Sequence, residues 1–524
     1  MGKGEVLKKQ IQYYVYCIGS LFFLKFGKMI GNNGIVYLAI GIETMALLMV
    51  FIGDGISDVY SKMLRSRRKR GLYHDAIVVK SRLKTLQIVL SIFFIVLTLI
   101  FADTIGIKLF HVEKSALIIR LIAPVLLIRA INNLLGGYLQ SLGKFLSLSV
   151  INVLRVILFG ILGSALVNNR MAYGEKVAAL LKNDDYIGLY GAMGLAITIL
   201  ITEIVILTVM CVLYFLNDYG YDKKKQDRNL HKTEGFKETI SNYVYLNNKQ
   251  FLFGFFKRLF ILVPLIIILN DINNAGVLYG KFLPLCGIPV FLVCARYYLL
   301  YSRLVSIIRN KDGRMVREHI QTGIQYTWTI SLLFSVLLAV LAPQITEAFF
   351  TKDIIMKELL QYGSVLILII TMLAYLFLVN IAHNRKLECY ITMLITAIIN
   401  CVLSNTLYDK LQKPNAILYA ACISLTIGIL MLGTVTIFLY GLRLEYIYVF
   451  MLPLICIGVS GVVVLLVGKY MTPHIGNTIA CIIGTILGIV LYLAGLSLCR
   501  VFSEQEVERL YGPLGRKIFS FIFK

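Results

Sequence analysis

The sequence predicts an all-α, polytopic membrane protein of about 14 transmembrane helices, built as two six-helix lobes related by a parallel repeat, plus two extra C-terminal helices. Three observations carry this prediction. The 524 residues are 58% hydrophobic and 15% charged, with mean hydropathy +0.80, whereas a soluble domain is about half apolar and a quarter charged. Apolar stretches of about 20 residues recur from end to end, each long enough to cross a hydrocarbon core of roughly 30 Å. The chain also repeats itself: YSKMLRSRRKRG at 60–71 returns as YSRLVSIIRNKDG at 301–313, each time between two apolar stretches.

Taken in chain order, apolar segments fall near 11–30, 36–58, 85–107, 116–138, 145–167 and 190–215, which form a first lobe at 1–215. The first segment has basic flanks and no small-residue cleavage site, so it reads as a retained helix. A polar outer loop is expected at 168–189, and a long basic linker at 216–250. Segments near 251–270, 276–300, 322–346, 358–381, 388–409 and 414–440 form a second lobe at 251–440. Two further segments, 446–467 and 474–499, fill 441–500. The tail at 501–524 mixes charge with Phe, Ile and Leu and suits a helix lying in the membrane interface.

With the N-terminus inside, the inner segments hold 32 Lys and Arg and the outer loops 10. Short basic loops stay cytoplasmic, so both termini are expected inside a bacterial cytoplasmic membrane. The formal net charge of +24 follows from this topology and from attraction to an anionic inner leaflet. No nucleic-acid partner is needed to explain it. The ten cysteines lie singly, with no CxxC and no Cys/His cluster, so neither a disulfide framework nor a structural metal is expected. No GxxxxGK[ST] phosphate loop is present, and nothing resembles a catalytic triad, so the chain is not expected to be an enzyme. A membrane glycosyltransferase would need a large outer loop with catalytic carboxylates, and 168–189 is short.

The two copies of the repeated phrase end the second and eighth segments. Six crossings, an even number, separate them, so both copies have one orientation. Lys144 and Lys386, after segments four and ten, keep nearly the same offset. Parallel repeats imply two lobes related by an axis along the membrane normal, with a cavity expected between them.

Charges inside apolar segments are costly, by roughly 2.5–3.5 kcal/mol at mid-membrane, and usually face a cavity or a partner. Lys28, Arg120, Lys281 and Arg303 lie near segment ends, where snorkelling explains them. Arg129, Arg155 and Glu203 lie near mid-depth. They form either a structural ion-pair network, with Glu203 bridging the arginines, or part of a substrate cradle. Lys25 and Lys28 share a helix face, as do Arg296 and Arg303. Glu43 and Asp54, eleven apart, would form one acidic stripe on a continuous helix. Lys257 and Arg258 complete the basic set. Asn400, Ser404 and Asn405 suit either a sodium site or interhelical hydrogen bonds. Pro264 and Pro289 are expected to kink segments seven and eight.

FGKMIGNNGIVYLAI at the end of segment one, GDGISDVYSKMLRSRRKRG closing segment two, and YLQSLGKFLSLSV after segment four resemble the multidrug/oligosaccharidyl-lipid/polysaccharide (MOP) exporter superfamily. Fourteen helices look more like its polysaccharide and lipid-linked-precursor flippases (Wzx-, MurJ- and spore-cortex-type) than its twelve-helix drug/cation antiporters. The resemblance implies that segments one, two, seven and eight line a central cavity. It also implies essential basic residues on the first, second and eighth, with Lys25 and Arg296 the nearest matches. Segment two departs from that pattern by offering Glu43 and Asp54.

The expected function is a flippase moving a lipid-linked saccharide, or a related anionic polysaccharide precursor, by alternating access. The cavity residues are Lys25, Arg129, Arg155, Lys257, Arg258 and Arg296, because a diphosphate headgroup needs cations where bulk water is excluded. Glu43, Asp54 and Glu203 are the ion-pair or coupling residues. No cofactor is expected beyond a coupling H+ or Na+. The expected partners are the bilayer, the anionic lipid-linked substrate and enzymes of cell-envelope biosynthesis. The alternative is a cation-coupled exporter of small molecules on the same fold.

Overall fold

Long apolar stretches punctuated by Gly, Pro and short basic turns give helices throughout. The computed structural model describes residues 3–218, 235–350, 353–442, 445–503, 506–508 and 510. Among these, thirteen helical runs are long and apolar enough to cross a membrane, which makes this a multi-pass membrane protein. The first run spans Gly4–Lys69 and is a hairpin. It comprises α1 (Lys3–Ile52) and α2 (Ile56–Lys69), and α1 breaks at Gly31, whose φ of 73° lies in the left-handed region. Lys9 and Asp58 lie on opposite sides of that break, yet their charged groups meet at 4.0 Å. At about 1.5 Å per residue, the chain climbs roughly 33 Å from Lys9 to Gly31 and then returns. One long run therefore supplies two passes, bringing the total to fourteen.

The elements that follow are α3 (Tyr73–Thr104), α4 (Ser115–Ile122), α5 (Val125–Ser141), α6 (Phe145–Leu181), α7 (Asp185–Asp218), α8 (Phe236–Ile268) and α9 (Ile272–Val277). After these come α10 (Leu283–Arg309), α11 (Gly313–Val340), α12 (Ala342–Phe349), α13 (Ile354–Gly363), α14 (Val365–Ala382), α15 (Lys386–Leu411), α16 (Asn415–Tyr440), α17 (Leu452–Ile475) and α18 (Asn477–Leu498). Several expected segments are interrupted. Segment four is divided at Ala123–Pro124, and the ninth bends at Leu341, just before Pro343. Proline lacks the N–H that would continue the ladder.

Three expectations change. The stretch 168–189 is not mainly loop: α6 continues to Leu181, because NNRMAYGEKVAALL is rich in helix formers. Its one glycine, Gly174, lets α6 lie against α7, since a Cβ there would come within 3.0 Å of Tyr190 and 3.1 Å of the Tyr186 carbonyl. The acidic stripe assumed a helix continuous through Asp54. Gly53, at φ 126°, ends α1, and Asp54 lies exposed in the turn between Gly53 and Gly55. Packing also divides the chain elsewhere than the 216–250 linker. One compact unit comprises residues 2–15 and 25–276, and the other residues 16–24 and 277–524. Residues 219–234 of the linker, and the tail from 511 on, lie outside the described residues.

The repeat is written into the backbone. After α2 the chain turns through Gly71 (φ 78°), and after α10 through Lys311 (φ 58°). After α5 it turns through Gly143 (φ 81°), and after α14 through Asn384 (φ 63°). The helices α6 and α15 both end in a left-handed residue, Lys182 and Gln412, each at φ 49°. These turns recur at spacings of 240, 241 and 230 residues. The shortfall in the last equals the difference between the 37 residues of α6 and the 26 of α15. Three extra turns on α6 are thus the main departure of one copy from the other.

In the first unit, a core of Ile56, Val59, Tyr60, Leu64, Leu83, Tyr138 and Tyr243 seals the end bearing the basic α2–α3 turn. Gln140, 5% exposed, ties this end together. It donates to Asp58 at 2.9 Å and accepts from Lys8 at 2.8 Å, and its carbonyl accepts from Arg65. In the second unit, buried polar side chains link helices. Tyr297 Oη donates to the Thr371 carbonyl at 3.0 Å, Tyr492 Oη to that of Thr329 at 3.1 Å, and Asn380 Nδ2 to Thr436 Oγ1 at 3.0 Å. Asn400 and Ser404 are buried on one face of α15, 3.5 Å apart, while Asn405 is exposed. The expected trio is therefore not one cluster, and no His/Cys/Asp/Glu metal cluster occurs among the described residues.

Candidate functional site

The apolar stretches of α5, α6 and α7 each contribute a charged or amide side chain to one cluster. Glu203 on α7 is 4% exposed. Its Oε1 lies 3.3 Å from Arg155 Nε and 3.9 Å from Arg129 Nε. Its Oε2 accepts from Asn132 Nδ2 at 2.8 Å and from Arg155 Nη2 at 3.4 Å. A carboxylate in an apolar span needs such partners, because an isolated buried charge costs several kcal/mol. Two guanidiniums share one carboxylate, so the cluster carries net positive charge. Arg129, with 40% of its side chain exposed and the longer contact, is the less committed of the two. Among the described residues, the buried Thr202 hydroxyl and Asn132 Oδ1 have no hydrogen-bond partner.

A second group joins α1 to α8. Glu43 Oε2 lies 3.3 Å from Arg258 Nη1, with both side chains largely buried. Lys257 precedes Arg258 and is exposed. Asp54 and Glu43 both lie within electrostatic reach of Lys257, so two acids here balance two bases. Lys25 stands apart, donating to Ser164 Oγ on α6 at 2.9 Å. Ser164 and Arg155 are nine residues apart, about 900° of helical rotation, and so occupy opposite faces of α6. Arg296 is half-buried on α10 of the second unit. Of the six expected cavity residues and the three expected ion-pair or coupling residues, Arg129 and Arg155 meet Glu203, Arg258 meets Glu43, Lys25 meets Ser164, and Asp54 lies in the turn after α1.

Residue types alone did not point to the break at Gly31 within α1. Gly31-Asn32-Asn33-Gly34 corresponds, at the repeat offset, to Ile272-Asn273-Asn274-Ala275. Asn32 and Asn273, 241 residues apart, are hydrogen-bonded through their side chains. The approach is close: a Cβ on Gly276 would lie 2.5 Å from Asn32 Cβ and 2.6 Å from its carbonyl oxygen. Asn33 donates to Asp185 at 2.7 Å, and Lys114 reaches the same carboxylate at 3.0 Å. Gly34 also lets α1 approach α7, its missing Cβ falling 2.6 Å from the Gly188 carbonyl. The doubled Asn-Asn at the repeat offset was the signal in the sequence that would have found this contact.

No protein-family model and no curated protein sequence matches the chain. Solved structures do. The structure described as "Lipid II flippase MurJ, inward closed conformation" covers 94% of this chain and 98% of its own, with TM-score 0.64 at 16% identity. An inward-facing multidrug-resistance MATE-family transporter of the MOP superfamily covers 82% of this chain and 95% of its own, with TM-score 0.65 at 12% identity. A MOP superfamily transporter from Pyrococcus furiosus, described by the reverse polarity of its binding pocket, covers 84% and 95%, with TM-score 0.57 at 11% identity. With most of its length superposed on each of them, this chain has the fold of the MOP superfamily transporters.

Proposed function

We propose that the protein is a transporter that moves an anionic lipid-linked saccharide, or a related polysaccharide precursor, across the bacterial cytoplasmic membrane by alternating access, with both termini cytoplasmic. The observation that carries this reading is the charge balance inside the first unit. Glu203 is shared by two arginines, Arg155 and Arg129. That carboxylate is outnumbered, so the surplus is cationic, as a diphosphate headgroup requires. Arginine suits bidentate phosphate recognition, and lysine supplies a point charge. The likeness to the lipid II flippase structure supports the same reading at the level of fold.

The alternative is cation-coupled export of small molecules. It is favoured by the likeness to the MATE-family transporter and by the buried Glu203, a carboxylate placed where a proton or sodium ion would exchange. Proteoliposomes distinguish the two. The proposed function predicts that a fluorescent polyprenyl-diphosphate-linked oligosaccharide becomes accessible in the opposite leaflet at a rate set by the protein. Gradient-driven efflux of cationic dyes, with no movement of the lipid-linked sugar, would replace it with the alternative.

A further inference from the structure

A cavity of about 490 Å³ lies wholly within the second unit. It is where the start of α13 meets the turn from α15 into α16, at the ends of these helices remote from the Asn384 turn. One wall is α13 along its length, carrying Lys357, Glu358, Gln361 and Tyr362; the other includes Lys413, Asn415 and Tyr419. None of these seven residues belongs to the clusters described above.

The chemistry of the lining is mixed in a specific way. Among the described residues neither Lys357 nor Lys413 forms an ion pair. The carboxylate of Glu358 is engaged by Asn415 Nδ2 at 3.2 Å. The helix α16 presents its uncapped N-terminus here, adding partial positive charge, whereas that of α13 is already capped by Asp353. The cavity thus favours an anion. It also contains acceptors that a bare anion would not satisfy. Asn415 holds one carboxylate oxygen of Glu358, which leaves the other to accept from a ligand. Inorganic phosphate brings mainly acceptors and negative charge, and would face that carboxylate without satisfying it. Tyr362 and Tyr419 are 57% and 37% exposed and line the same cavity, each an apolar ring with a polar tip.

We infer that this cavity is a binding site for an acidic saccharide, separate from the transport site. The C–H face of a sugar ring stacks on the tyrosines and its hydroxyls donate to Glu358. Gln361 both gives and accepts, and the lysines take the acidic substituent. The inference is independent of the proposed transport function, because binding is measurable in protein that moves nothing.

The test is an array of free oligosaccharides, neutral and acidic (uronic, sialylated and phosphorylated), probed with the full-length protein in detergent. Saturable retention of acidic members above their neutral counterparts is expected. Lys357→Ser/Lys413→Ser and Tyr362→Ala/Tyr419→Ala should each weaken it by about tenfold or more, the scale of one or two lost polar or stacking contacts. Both pairs are at exposed positions and should leave the melting temperature unchanged, and either pair alone suffices if the other misfolds. Retention of no saccharide, equal retention in the variants, or competition by inorganic phosphate as strong as by the sugar would overturn the assignment. The first two outcomes would leave the tyrosines as membrane-interface anchors, and the third would leave a simple anion site. For the source of the ligand, slowed proteoliposome transport in the lysine variant would mark the transported headgroup, and unchanged transport an external glycan.

Discussion

Glu203, Arg129, Arg155 and Asn132 form a group whose members are unequal. Replacing Glu203 with Ala removes the carboxylate that both guanidiniums share, and is expected to cost about 2–4 kcal/mol, somewhat below the usual toll for a fully buried pair because the arginines are partly exposed. The readout is a lowered unfolding midpoint in detergent. Arg129→Gln should cost under about 1 kcal/mol, since its contact is long and its side chain is the more exposed. An unchanged midpoint for Glu203→Ala would show that the cluster contributes nothing to stability. The charged members of this group were legible in the sequence, because a charge at mid-depth demands a partner. Asn132 was not, since a neutral amide on an amphipathic-looking stretch makes no such demand. Asp54 was misplaced for a backbone reason: helical spacing predicts a face only while the helix continues, and Gly53 ends it.

Helices were legible as hydrophobic periods, and their breaks less so. Proline at 124 and 343 signals its own interruption, whereas α6 outran its apolar stretch because helix propensity, not hydropathy, set its end. The paired turns at Gly71 and Lys311, and at Gly143 and Asn384, were found in the sequence as a repeated phrase, before their shared left-handed geometry was known. The contact between Asn32 and Asn273 yields a prediction at this scale. With both replaced by cysteine, oxidation should join the α1 break to α9. If transport requires this contact to open, the disulfide should stop it and a reductant restore it; full transport by the cross-linked protein would show that the contact is static. Gly276→Ala should lower the folded yield, because its Cβ would meet Asn32 backbone and side chain within 2.7 Å. Gly19→Ala should not, because nothing lies within 4 Å of its Cβ.

For the whole molecule, the basic residues give the topology its handedness. The excess of 32 over 10 predicts that a cysteine placed at exposed Lys69 is labelled only after the membrane is made permeable, while one at exposed Lys182 is labelled in intact cells, with Cys499 replaced to silence the background. The reverse pattern would invert the protein. The overall fold was legible because membrane insertion leaves few choices: every backbone polar group must be satisfied within a helix. The candidate site was legible only in part, because hydropathy reports which residues are out of place and not which of them meet.

The measurement that bears most directly on the central claim is native mass spectrometry of the purified protein released gently from its detergent. A cationic surplus shaped for a lipid-linked saccharide predicts a retained polyprenyl-diphosphate species that is lost in an Arg129→Gln variant of unchanged thermal stability and in Arg258→Gln protein that remains folded. Bulk phospholipid alone, identical in wild type and variants, would contradict the account and return those arginines to a purely structural role.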